Sequence, residues 1–125
     1  MSQAKKKILA VLDDLLFTVK INDTAKRAGL TVEVVKNETD VLERAKEKPL
    51  LIILDLNSHS VNPIDLIQKL KADPETKPVS LLGYVSHVQG ELKQQAHDAG
   101  CDMVMARSAF SQNLPVILKR HFNAA

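Results

Sequence analysis

Leu50-Leu51-Ile52-Ile53-Leu54-Asp55 decides the fold of this 125-residue chain, because five consecutive apolar residues run straight into a carboxylate. A short apolar run without alternation is the pattern of a strand buried on both faces. Such a strand belongs in a parallel sheet covered by helices, and its last residue delivers Asp55 to the sheet's C-terminal edge. A second run of the same kind, Ile8-Leu9-Ala10-Val11-Leu12, leads into Asp13 and Asp14.

Helical patterns fill the intervals. Phe17, Ile21, Ala25 and Ala28 recur at helical spacing after Asp14 and stop at Gly29, a residue suited to a left-handed helix end. Thr31 to Val35 is rich in β-branched residues and predicts strand two. Asn37, with Asp40 three places on, caps a second helix that carries Val41, Leu42 and Ala45. After strand three, Asn62-Pro63 opens a third helix that carries Ile64, Ile67 and Leu70 to about Ala72. Val79 to Leu82 predicts strand four, with Gly83 as a break. Ser86 and Gln89 match a capping box before a fourth helix bearing Leu92, Ala96 and Ala99. Met103 to Ala106 is strand five, and Leu114, Ile117, Leu118 and His121 mark an amphipathic fifth helix. Strands that alternate with helices in this way form right-handed parallel crossovers. The fold class is therefore α/β, a flavodoxin-like (βα)5 doubly wound parallel sheet with strand order 2-1-3-4-5. One domain spanning residues 1–125, with a core over about 6–122, is expected from the length.

Composition narrows the function classes. With 45% hydrophobic residues, the chain can bury a core without staples. The net charge of +2 comes from 17 basic and 15 acidic residues mixed along the chain, so nucleic-acid binding is not implied. The single cysteine, Cys101, can form no internal disulfide and suits a reducing cytoplasm. No apolar segment has the length of a membrane span or a signal core, and a cytoplasmic location is expected. His59, His87, His97 and His121 are scattered, without a second ligand at helical spacing, and predict no zinc site. Tyr84 either fills the loop over the site or presents a partner contact.

In strand order 2-1-3-4-5 the site lies beyond the C-terminal ends of strands one and three. Asp13, Asp14 and Asp55 meet there. Carboxylates brought together repel unless a hard cation or protons intervene, and an oxygen-rich site open to water suits Mg²⁺. A carboxylate beside Mg²⁺ can serve as a nucleophile toward a phosphoryl group. Alternatively, Asp13 and Asp14 only start a helix, where acids complement its dipole.

The residues KILAVLDD, LIILDLN, KADPETKPVSLL and AGCDMVMARSAF, in this order and separation, resemble the receiver domain of two-component response regulators over about Lys6 to Phe122. The resemblance implies that Asp55 is the phosphoryl acceptor and that Mg²⁺ is held by Asp13, Asp55 and the backbone carbonyl of Asn57. Counting back from Gly29 without gaps places the family's acidic pair on Leu12 and Asp13. A one-residue slip places it on Asp13 and Asp14, so Asp13 is taken as the metal acid with Asp14 as its substitute. Four further positions depart from the family. Its hydroxyl residue at the end of strand four corresponds to Gly83, its aromatic switch to Val104, its lysine to Arg107 and the following proline to Ser108. A cis bond before a non-proline residue costs about 3 kcal/mol, so a rearranged loop is expected at Ser108.

The expectation is an atypical receiver in phosphorelay signal transduction, with a histidine kinase or phosphotransfer protein as phosphoryl donor. Its output is a protein contact through the surface of helix four, strand five and helix five. The alternative is a pseudo-receiver that binds a partner without phosphorylation. A nucleotide- or flavin-binding enzyme is remote, because the first strand–helix turn reads LDDLLF rather than a glycine-rich loop. No enzymatic turnover is expected.

Overall fold

The structure, a computed structural model, describes residues 6–86 and 90–124. Five strands alternate with five helices: β1 Lys7–Val11, α1 Leu15–Arg27, β2 Thr31–Val35, α2 Glu38–Ala45, β3 Leu51–Asp55, α3 Pro63–Ala72, β4 Leu81–Val85, α4 Gly90–Ala99, β5 Met103–Ala106 and α5 Arg107–Ala124. All pairings are parallel, in the order β2-β1-β3-β4-β5. The doubly wound architecture expected from the sequence is the one formed.

Alternation along the strands splits the core into two layers. Leu9, Val11, Ile52 and Leu54 face α2, α3 and α4 through Val41, Ala45, Leu66, Ile67, Leu70 and Ala96. On the other side, Ile8, Ala10, Leu51 and Ile53 face α1 and α5 through Phe17, Ile21, Ala25, Phe110, Leu114 and Leu118. Every residue of β3 up to Leu54 is at most 1% exposed, which explains why its sequence shows no polar alternation.

Local signals start and stop the helices. Asp14 caps α1 by accepting a hydrogen bond from the Phe17 N–H at 3.1 Å. Asn37 and Asn62 cap α2 and α3 in the same way, with Pro63 in the first turn of α3. Gly29 adopts φ +80° after α1, where a side chain would be strained. Asp102 ties the entries of β4 and β5 together, since its Oδ2 accepts from the Leu81 N–H at 2.8 Å and from Lys71 Nζ at 3.0 Å. The capping-box expectation depends on Gln89, which lies outside the described residues.

Two expectations are corrected. Strand four runs from Leu81 to Val85, so Gly83 is not a break but an interior residue paired with Leu54. The reason is close approach, because a Cβ at Gly83 would lie 2.9 Å from the Leu56 Cδ1 atom. There is also no rearranged loop at Ser108. Helix α5 begins at Arg107, directly after β5. A proline at 108 would push residue 107 out of helical geometry. Serine lifts that restriction, and α5 can start at Arg107.

Adding a branched side chain at Gly83 must displace Leu56 from a packed core. Gly83→Val is expected to cost about 1–3 kcal/mol, measured by denaturant unfolding, with part of the loss recovered in Gly83→Val/Leu56→Ala.

Candidate functional site

The C-terminal ends of β1 and β3 bring three carboxylates to one edge of the sheet, and each is held differently. Asp55 closes β3. Its Oδ1 accepts the Asn57 N–H at 2.9 Å, which turns the chain into the following loop. Burial pushes its carboxyl above the ordinary value of 3.8, with Asp13 and Asp14 adding to the rise and the Asn57 N–H and Arg107 opposing it.

Asp13 turns toward the loop after β3. It accepts hydrogen bonds from the hydroxyls of Ser60 and Ser58, and its carboxyl is lowered chiefly by Ser60. Asp14, besides capping α1, forms an ion pair with Arg107. Its carboxyl is also lowered, first by the Phe17 N–H and further by Arg107. Leu12, the position reached by gap-free counting, is buried in the core at 1% exposure. Asp13 and Asp14 are therefore the two acids that reach the edge, and each already has protein partners.

Arg107 is oriented from two sides. Its guanidinium carbon stands 4.5 Å from the centroid of the Phe17 ring, a cation–π arrangement that suits a planar fork better than a lysine ammonium. Phe17 is itself packed in an aromatic cluster. Its ring lies 5.1 Å from Tyr84 and 5.7 Å from Phe110, while Tyr84 and Phe110 stack at 5.0 Å with planes 5° apart. Phe110 lies one helical turn beyond Arg107, so the stacking that anchors the start of α5 also fixes where Arg107 originates.

Tyr84 occupies neither of the positions expected for it. It is a strand residue, 2% exposed, paired in register with Asp55 and facing the same layer of the core. Its hydroxyl is buried without a protein hydrogen-bond partner, and burial followed by the charge of Asp55 pushes its pKa well above the usual tyrosine value. An unpaired buried hydroxyl costs about 1–3 kcal/mol.

Ser86, the first residue after β4, donates from its N–H and its hydroxyl to Asn57 Oδ1 at 2.8 and 2.9 Å. This bridge ties the end of β4 to the loop after β3. The hydroxyl at the end of strand four thus belongs to Ser86 rather than to the position of Gly83. Val104 is half-buried against the core layer of α3 and α4. Ser108 is exposed on the first turn of α5.

Sequence spacing missed Ser58, Ser60 and Phe17 as members of the site. The serines carry no periodic signal, and Phe17 is indistinguishable in sequence from any other residue on the buried face of α1. Mg²⁺ would have to displace protein partners from Asp13 or Asp14 to use them as ligands. Among the described residues no three His, Cys, Asp or Glu side chains are grouped to hold a metal ion, and the oxygens of Asp13 and Asp14 are directed at serines, a helix N-terminus and a guanidinium.

Comparison with known proteins gives a uniform result at the level of fold. No family model matches the chain, and no curated protein matches it. Solved structures do. A putative response regulator of Chloroflexus aurantiacus is 19% identical with a TM-score of 0.81, covering 95% of this chain and 98% of its own. The receiver domain of a Pseudomonas aeruginosa sensor histidine kinase, with magnesium coordinated in its active-site cleft, is 19% identical with a TM-score of 0.80, covering 96% and 99%. The chemotaxis response regulator CheY4 of Vibrio cholerae is 21% identical with a TM-score of 0.79, covering 94% and 98%.

Two outcomes test the site. Tyr84→Phe removes only the unpaired hydroxyl and is expected to leave stability unchanged or raise it by about 1 kcal/mol, read from denaturant midpoints. For Asp55, the folded-state carboxyl is raised, so its contribution is fully favourable below 3.8 and is lost as pH rises through the folded value. Asp55→Asn is therefore expected to raise the thermal midpoint by a few degrees at neutral pH, with the gain vanishing in acid.

Five parallel strands in the order 2-1-3-4-5, an acidic edge beyond β1 and β3 and near full-length superposition together give this chain the fold of response regulator receiver domains.

Proposed function

We propose that this chain is an atypical receiver-type signalling module whose output is a protein–protein contact, with Asp55 in the phosphoryl-acceptor position. Support comes from the placement of Asp55, half-buried at the end of the central strand and flanked by two further acids. The receiver fold of the solved relatives, including a magnesium-bound histidine-kinase receiver domain, is consistent with this role. A histidine kinase or phosphotransfer protein is the corresponding phosphoryl donor. The surface of α4, β5 and α5, where Met103 is 39% exposed, is the corresponding output face.

One observation supports a choice between the two modes of such a module. Arg107 is paired with Asp14 and stacked on Phe17, so the cation nearest the acceptor is already committed. Asp13 is engaged by Ser58 and Ser60. Phosphoryl transfer to a carboxylate needs positive charge free to meet the incoming oxygens. Val104 also offers no ring to rotate between buried and exposed states. The pseudo-receiver mode, in which the partner docks without phosphorylation, is favoured on this ground.

Incubation with acetyl phosphate and Mg²⁺, followed by intact mass, tests the choice. The expected result is no phosphoryl-sized gain on the wild-type chain. A gain that disappears in Asp55→Asn would instead establish Asp55 as a working acceptor and restore the phosphorelay mode.

A further inference from the structure

We propose that Arg107 is the resident cation of this site: clamped between the Asp14 carboxylate and the Phe17 ring, its guanidinium takes the electrostatic role of a divalent ion toward Asp14 and Asp55. The acidic edge is consequently independent of metal. This holds whether or not Asp55 ever carries a phosphoryl group.

The geometry supplies the reasons in order. Arg107 is the first residue of α5 and directly follows the last residue of β5. Its backbone origin is therefore fixed by the sheet on one side and by Phe110, fully buried one turn later, on the other. From that origin the side chain lies over Phe17, in the same aromatic cluster as Tyr84, the strand neighbour of Asp55. A planar guanidinium can stack on that ring and present N–H donors to a carboxylate at once.

Each of the acids at the beginning of α1 is engaged by protein partners. Asp14 uses Oδ1 to cap α1 and Oδ2 to hold Arg107. Recruiting either oxygen to a metal shell would compete with one of these contacts. Asp13 is turned to two serine hydroxyls, which neutralise nothing but satisfy its oxygens. Mg²⁺ demands near-octahedral oxygen ligands and surrenders its water reluctantly. A cation covalently delivered on a helix needs no such shell. The guanidinium acts on Asp14 directly and on Asp55 through space.

Removing the guanidinium should therefore create a metal site where the wild type has none. The test is calorimetric titration of the wild type and Arg107→Ala with Mg²⁺ and Mn²⁺. The emission of Tyr84, the only tyrosine in a chain without tryptophan, is followed in parallel as a reporter within the site's aromatic floor. The wild type is expected to show no saturable binding at millimolar metal. Arg107→Ala is expected to bind at least about tenfold more tightly and to lose that binding when Asp55→Asn is added. Arg107→Gln, which keeps most of the side chain against Phe17 and removes only the charge, provides the same comparison should the alanine variant not fold. Saturable, Asp55-dependent binding by the wild type overturns the proposal. So does an uncharged variant at position 107 that folds and binds metal no better than the wild type.

Discussion

A strand buried on both faces has a single place for polar chemistry, its end. β3 imposes that constraint here. With Leu51 to Leu54 sealed between two helical layers, no polar group is tolerated until the chain emerges at Asp55. The parallel order then sets the neighbours. β1 ends beside β3 and brings Asp13 and Asp14, while β4 pairs Tyr84 with Asp55. The carboxylate cluster is thus a consequence of how a doubly wound sheet is buried.

Concentrating negative charge at that edge has to be offset. The offset comes from sources that differ in kind. A helix N-terminus and a guanidinium take Asp14, two serine hydroxyls take Asp13, and Asp55 keeps one backbone N–H together with a raised carboxyl. Arg107 is the only full positive charge among them. Its orientation depends on the aromatic floor of Phe17, Tyr84 and Phe110, which links the packing of α1, β4 and α5 to the electrostatics of the edge. Asn57 and Ser86 connect the two loops that border the site. An edge held by this many internal contacts is suited to presenting a fixed surface.

Much of the architecture was readable from residue pattern. Apolar runs located β1 and β3, N-caps at Asn37 and Asn62 set the starts of α2 and α3, and Gly29 closed α1 with positive φ. Errors arose where a residue's usual local meaning was overridden by its neighbours. Gly83 reads as a break but sits inside β4, because the packing of Leu56 leaves no room for a Cβ. Arg107-Ser108 reads as the place for an irregular loop. In fact the absence of proline lets α5 start at the strand's end.

The sequence by itself determined the strand–helix alternation, the buried strands and the meeting of Asp13, Asp14 and Asp55 at one edge, because these follow from hydrophobic period and from the obligatory hand of parallel crossovers. Only the tertiary structure decided what those acids bind. Arg107 lies 93 residues from Asp14 along the chain, and Ser58 and Ser60 lie 45 and 47 residues from Asp13. Pairings of that range leave no periodic trace. They exist because the fold places the beginning of α5 and the loop after β3 against the beginning of α1, where side-chain reach and charge select the partners.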